Sequence, residues 1–92
     1  MDQNWTNRIV IVTGGGGGMG QAAAQRFAEA GAKTFVLGRS MESLKECASF
    51  SAKIIPVVCD VAEEASVASA MEVILKEGTP DLLIHTAGVN TP

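Results

Sequence analysis

Four short apolar runs alternate with three helical patterns along this chain, and that alternation restricts the fold more than any other feature. Arg8–Thr13 (RIVIVT), Lys33–Leu37 (KTFVL), Lys53–Cys59 (KIIPVVC) and Asp81–Thr86 (DLLIHT) are near-continuous apolar runs, the pattern of strands buried on both faces. Met19–Ala30 carries Ala23, Phe27 and Ala30 at helical spacing, and its many alanines suit a helix lying close to a sheet. Met41–Phe50 carries Met41, Leu44 and Ala48, with Ser40 as N-cap. Glu63–Glu77 carries Val67, Met71, Ile74 and Leu75 and stops at Gly78 and Pro80. Glu63 and Glu64 in its first turn suit the helix dipole. The order β-α-β-α-β-α-β predicts an α/β fold with parallel strands joined by right-handed crossovers. Pro56 has no N–H to donate, so the third strand is expected at an edge. The 92 residues fit one small domain at most.

Directly after the first strand comes TGGGGGMGQ, Thr13 to Gln21, with glycines from Gly14 to Gly18 and again at Gly20. Each glycine in regular structure costs about 0.5–1 kcal/mol relative to alanine. A phosphate accounts for that concentration: between a buried strand and a helix, glycines let a pyrophosphate approach the backbone, and the free amides at the helix start hold it. The other reading is a flexible loop with no ligand. A P-loop is excluded, because Gln21 and Ala22 stand where lysine and Ser/Thr are required. G-x-G-x-x-G can be read in more than one register and discriminates little.

The register Thr13-Gly14-x-x-x-Gly18-x-Gly20 resembles the TGxxxGxG signature of the short-chain dehydrogenase/reductase family. The resemblance continues in order along the chain: LGRS after the second strand, CDV after the third, HTAG after the fourth. It implies a Rossmann-type doubly wound parallel sheet, strand order 3-2-1-4, truncated here after the fourth strand. Residues 1–92 are then the incomplete, amino-terminal part of a single NAD(P)-binding Rossmann domain.

Carried over, Gly14, Gly18 and Gly20 shape the pyrophosphate turn and the Met19 amide points at the phosphates. Thr13 either ties the first strand to the fourth, the favoured role, or touches ligand. The end of the second strand separates the cofactors, since an acid there binds the adenosine ribose of NAD and repels a 2′-phosphate. This chain has Gly38 at that end, followed by Arg39, whose guanidinium can grip the phosphate, and Ser40, whose hydroxyl can add a contact. NADP is therefore expected over NAD, although the family's frequent second basic residue within the glycine turn is missing. The bland alternative makes Arg39 a solvated charge and Ser40 only a helix cap. Asp60 and Val61 match the adenine clamp, with helix initiation as the competing role for Asp60. Ala87 and Gly88 keep the close approach to the nicotinamide ribose. His85 departs from the common Asn-Asn-Ala-Gly form; it is expected inside a buried strand end and read as structural.

The family's chemistry uses a Tyr-x-x-x-Lys pair and a Ser, all later in the chain, and this sequence has no tyrosine. The expectation is a cofactor-binding portion of an oxidoreductase that exchanges hydride with a carbonyl or alcohol, with no catalytic residue of its own. The alternative is a stand-alone, noncatalytic nucleotide-binding or interaction protein. A methyltransferase-like domain ranks below both, because such domains favour an acid where Gly38 stands. In the 3-2-1-4 order the strand at residues 81–86 becomes an open apolar edge, so self-association or pairing through it is expected. Net charge of −3 argues against nucleic acid, and no run approaches membrane-span length. Cys47 and Cys59 lie in separate elements and are read as buried apolar residues rather than a disulfide. No cluster has metal-ligand spacing, and no signal peptide is recognised, so the expected compartment is the cytoplasm.

Overall fold

Every residue of β1 (Ile9–Thr13, IVIVT) is buried, because this strand has neighbours on both sides and helices over both faces. The computed structural model of the chain describes residues 4–14 and 18–85. After β1 come α1 (Gly18–Glu29), β2 (Lys33–Gly38), α2 (Met41–Ala48), β3 (Ile54–Val58), α3 (Glu64–Leu75) and β4 (Leu82–His85). The strands form one sheet in the order β3-β2-β1-β4, parallel throughout, with Ile11 opposite both Phe35 and Leu83. The expected order is thus the observed one. Pro56 faces Val36 from the edge strand β3, where a missing N–H on the outer side costs no ladder bond. That strand is only half-buried, and Val58 is exposed, so the reading of it as covered on both faces fails for the same reason.

Two apolar layers flank the sheet. Val10, Val12, Val36 and Ile54 pack with Ala24 and Ala28 of α1 and Leu44 and Cys47 of α2. Ile9, Ile11, Phe35, Leu37 and Cys59 pack with Ala70 and Ile74 of α3 on the other side. The alternation of side chains along each strand feeds both layers from one run. Cys47 and Cys59 are free and fall in opposite layers; burial raises the Cys47 thiol above its ordinary pKa.

The helical stripes sit slightly off the expected positions. On α1 the buried residues are Gly20, Ala24 and Ala28, while Phe27 stays half-buried under Trp5, ring to ring at 5.0 Å and edge-on. The segment before β1 covers that side of the helix, and the backbone N–H of Trp5 donates to Ala30 O. On α2 the Ser40 hydroxyl accepts from the Ser43 N–H, as its N-cap role requires. That helix ends at Ala48, short of Phe50, where the bonding tightens: the Phe50 and Ser51 N–H groups donate to the Cys47 and Ala48 carbonyls, three residues back. On α3, Ala70 and Ile74 face inward and Leu75 is exposed. Gly78, at φ 144°, then turns the chain where a Cβ would stand 2.9 Å from Ile9 Cδ1.

Strand β4 enters beside β1 through Asp81. Its N–H donates to Ile9 O at 2.8 Å, its Oδ2 accepts from Ile9 N–H at 2.9 Å, and its Oδ1 lies 3.9 Å from the Arg8 guanidinium.

The alanine contact of α1 gives a direct check. Ala24→Leu inserts a branched side chain where nothing is exposed. It is expected to cost about 1–3 kcal/mol by overpacking, read as a lower urea midpoint at unchanged slope.

Candidate functional site

Because all four strands run the same way, their carboxyl ends lie along one edge of the sheet, the edge where open α/β sheets bind ligands. Backbone bonds stitch this edge together. Gly14 N–H donates to Leu37 O at 2.8 Å, bringing the start of the glycine run against the end of β2. Cys59 N–H donates to Gly38 O at 2.8 Å, joining the end of β3 to the same place. Gly14 has φ 76°, a left-handed conformation that glycine adopts without steric cost.

Helix α1 begins at this edge with Gly18. The N–H groups of its first turn point out of the helix end and carry its positive dipole end, and no acid lies in that turn to neutralise it. No described atom comes within 4 Å of where a Cβ at Gly18 would stand. Packing among the described residues therefore does not demand glycine there. Met19 is 65% exposed and Gly20 is buried toward the sheet.

Beyond Gly38 the Arg39 side chain is exposed. The ion pairs among the described residues are Arg8–Asp81 and Lys33–Glu77, and Arg39 joins neither. Ser40 follows as the α2 cap. Asp60 Oδ1 accepts from Ala62 N–H at 3.0 Å and Asp60 O accepts from Glu63 N–H, so this residue builds the turn into α3. That helix has no side-chain cap of its own at Glu63. Asp60 N–H donates to Ser66 Oγ, a tie that sequence reading missed and that only the spacing of six residues hints at. Val61 is exposed beside it. Ala87 and Gly88, with Thr86, lie outside the described residues.

At the end of β4, His85 Nδ1 lies 2.6 Å from Thr13 Oγ1, which also lies 3.5 Å from Ile84 O. Thr13 thus ties β1 to β4. His85 is exposed rather than buried. The reason is the register: His85 and Leu83 sit opposite Thr13 and Ile11, on the α3 side, and α3 packs over Ile9, Ile11, Phe35 and Leu37 without reaching them. No group of three or more His, Cys, Asp or Glu among the described residues is arranged to hold a metal. No described helix is long and apolar enough to cross a membrane.

The edge therefore offers an anion-attracting helix start and, one strand over, an exposed guanidinium that joins no ion pair among the described residues, with a carboxylate one strand further out. Comparison with known proteins points the same way. Residues 8–92 match the family model described as short chain dehydrogenase. The short-chain dehydrogenase/reductase VdtF of Byssochlamys spectabilis is 38% identical over 90 residues, covering 95% of this chain and 30% of that protein. Glucose dehydrogenase of Caenorhabditis elegans superposes with a TM-score of 0.87 at 30% identity, over 94% of this chain and 40% of that one. A 3-ketoacyl-(acyl-carrier-protein) reductase from Brucella melitensis, solved in complex with NADH, superposes at 0.80 with 32% identity, over 85% and 33%. The chain spans less than half the length of each.

Thr13→Val removes the hydroxyl from the β1–β4 tie and is expected to cost about 0.5–1.5 kcal/mol of stability. Thr13→Ser keeps the hydroxyl and should retain most of it; urea unfolding of the two variants distinguishes hydrogen bond from packing.

Proposed function

The chain belongs to the short-chain dehydrogenase family, and we propose that it is the NADP(H)-binding, amino-terminal portion of an oxidoreductase that moves hydride between a nicotinamide and a carbonyl or alcohol. The observation that supports this reading best is the Gly14–Leu37 bond, which sets Gly14, the first residue of the glycine run, beside the Gly38–Arg39 end of β2. One feature suits a pyrophosphate and the other a 2′-phosphate, at the two places where a single dinucleotide presents them.

The residues divide as follows. Gly14, Gly18 and Gly20 admit the pyrophosphate, and the Met19 amide donates to it. Arg39 neutralises the 2′-phosphate in a charge-assisted pair and Ser40 adds a hydroxyl. Asp60 accepts from the adenine amino group while keeping its turn bond to Ala62, since a carboxylate has sites for both; the Val61 amide meets a ring nitrogen. Ala87 and Gly88 border the nicotinamide ribose. The nicotinamide supplies or accepts the hydride. Proton transfer to the substrate oxygen falls to a tyrosine, lysine and serine that are not among these residues, so substrate choice also lies outside them. Both cysteines are free, as the reducing cytoplasm, the compartment that goes with this reading, permits.

A second reading has an observation of its own. Leu83 is 60% exposed on the outer strand β4, and a bare apolar strand edge is a template for pairing. On this reading the 92-residue polypeptide associates through that edge as a noncatalytic binding partner. Leu83→Lys is then expected to shift its sedimentation toward the monomer, and an unchanged distribution removes the edge as the contact.

For the principal reading, Arg39→Ala is expected to raise the NADPH Kd at least about tenfold, or about 1.4 kcal/mol, and to leave NADH binding unchanged. Calorimetric titration with both cofactors checks this; equal losses would take the 2′-phosphate role away from Arg39.

A further inference from the structure

We propose that Leu44, a residue of the core layer, sets cofactor preference by keeping position 38 free of a side chain; the inference rests on the dinucleotide reading above. The backbone does not require glycine at 38. Among the described residues the glycines with positive φ are Gly14, Gly31 and Gly78, and Gly38 is not one of them; it closes β2 in regular pairing with Val58. The requirement comes from α2. A Cβ at position 38 would stand 3.3 Å from Leu44 Cδ2, 3.7 Å from its Cγ and 3.9 Å from its Cδ1.

Leu44 has little room to give way. It is fully buried in the layer that holds Val12, Val36 and Cys47. Its N–H donates to Ser40 O in the first turn of α2, and the Ser40 hydroxyl accepts from Ser43 in the same turn. Just two residues, Arg39 and Ser40, connect β2 to α2, so the helix cannot tilt away without moving the strand end. Interiors packed at this density transmit such shifts rather than absorb them.

The end of β2 is also where an acidic side chain binds the ribose hydroxyls of NAD and repels a 2′-phosphate. Leu44 therefore disfavours the acid, because a Cβ at 38 would press on its Cδ2 methyl, and specificity arises from this crowding at 38 together with Arg39 beside it. Leu44 acts through position 38 and does not touch the cofactor.

Two measurements test the proposal. The first is a stability cycle on the chain with Gly38→Ala, Leu44→Ala and both together. Gly38→Ala is expected to lower Tm by several degrees in the parent, and to leave it unchanged or raise it once Leu44 is shortened. An equal loss in both backgrounds overturns the contact; Leu44→Val serves in place of Leu44→Ala if the latter fails to fold. The second is the ratio of NADH to NADPH affinity. Gly38→Asp alone is expected to lose Tm and bind both cofactors weakly. Gly38→Asp with Leu44→Ala is expected to move the ratio toward NADH at least about tenfold. Gly38→Asp alone holding the parent Tm and shifting the ratio as far as the pair overturns the role of Leu44. If the parent chain binds neither cofactor, the dinucleotide reading falls, and with it the claim on specificity, while the stability cycle still judges the contact.

Discussion

The backbone pairing of β1 is the constraint on which the other elements depend. It bonds to β2 on one side and β4 on the other, and its alternate side chains feed both apolar layers. A parallel strand covered on both faces reads as a near-continuous apolar run, and β1 has a single polar residue, Thr13, at its carboxyl end. There the layers give way to the edge that carries the candidate site. The hydrophobic run and the start of α1 are thus linked: the run fixes the direction of the strand, and the strand delivers Gly14 to the sheet edge where α1 begins.

Along that edge charge is distributed unevenly. The start of α1 and the Arg39 side chain flank the ends of β1 and β2, while Asp60 stands at the end of β3 with its carboxylate engaged in a turn. The net charge of −3 is therefore a poor guide to what this edge attracts. Oriented amides act over a few ångströms, where the summed charge of the chain is screened.

Parallel direction and the edge placement of Pro56 were legible in the sequence, because each follows from a local rule acting alone; the strand order came from the family resemblance, since no local pattern says which strand lies beside which. The burial of particular side chains was less so. Phe27 looked like a core residue of α1 by spacing but is shared with Trp5, a contact from a segment outside the helix. Leu75 looked inward by the same spacing and is exposed. His85 was expected inside; whether its side of β4 is covered depends on how far α3 reaches, which no local pattern encodes. At the site, Arg39 and the missing acid at Gly38 could be read directly. The contact of Leu44 with position 38 could not, since it joins two elements through a turn whose geometry only the folded chain defines.

Strand β4 is fastened to β1 at both ends by side chains, through Asp81 at its start and His85 at its finish. Its outer side carries none of this fastening. Its position along β1 is consequently settled without help from any strand beyond it. A segment that docks on that side, from whatever source, meets an edge already held at a fixed offset and has only to match it. Slippage by one residue, which would turn Leu83 inward and Ile84 outward, is blocked before such a segment arrives.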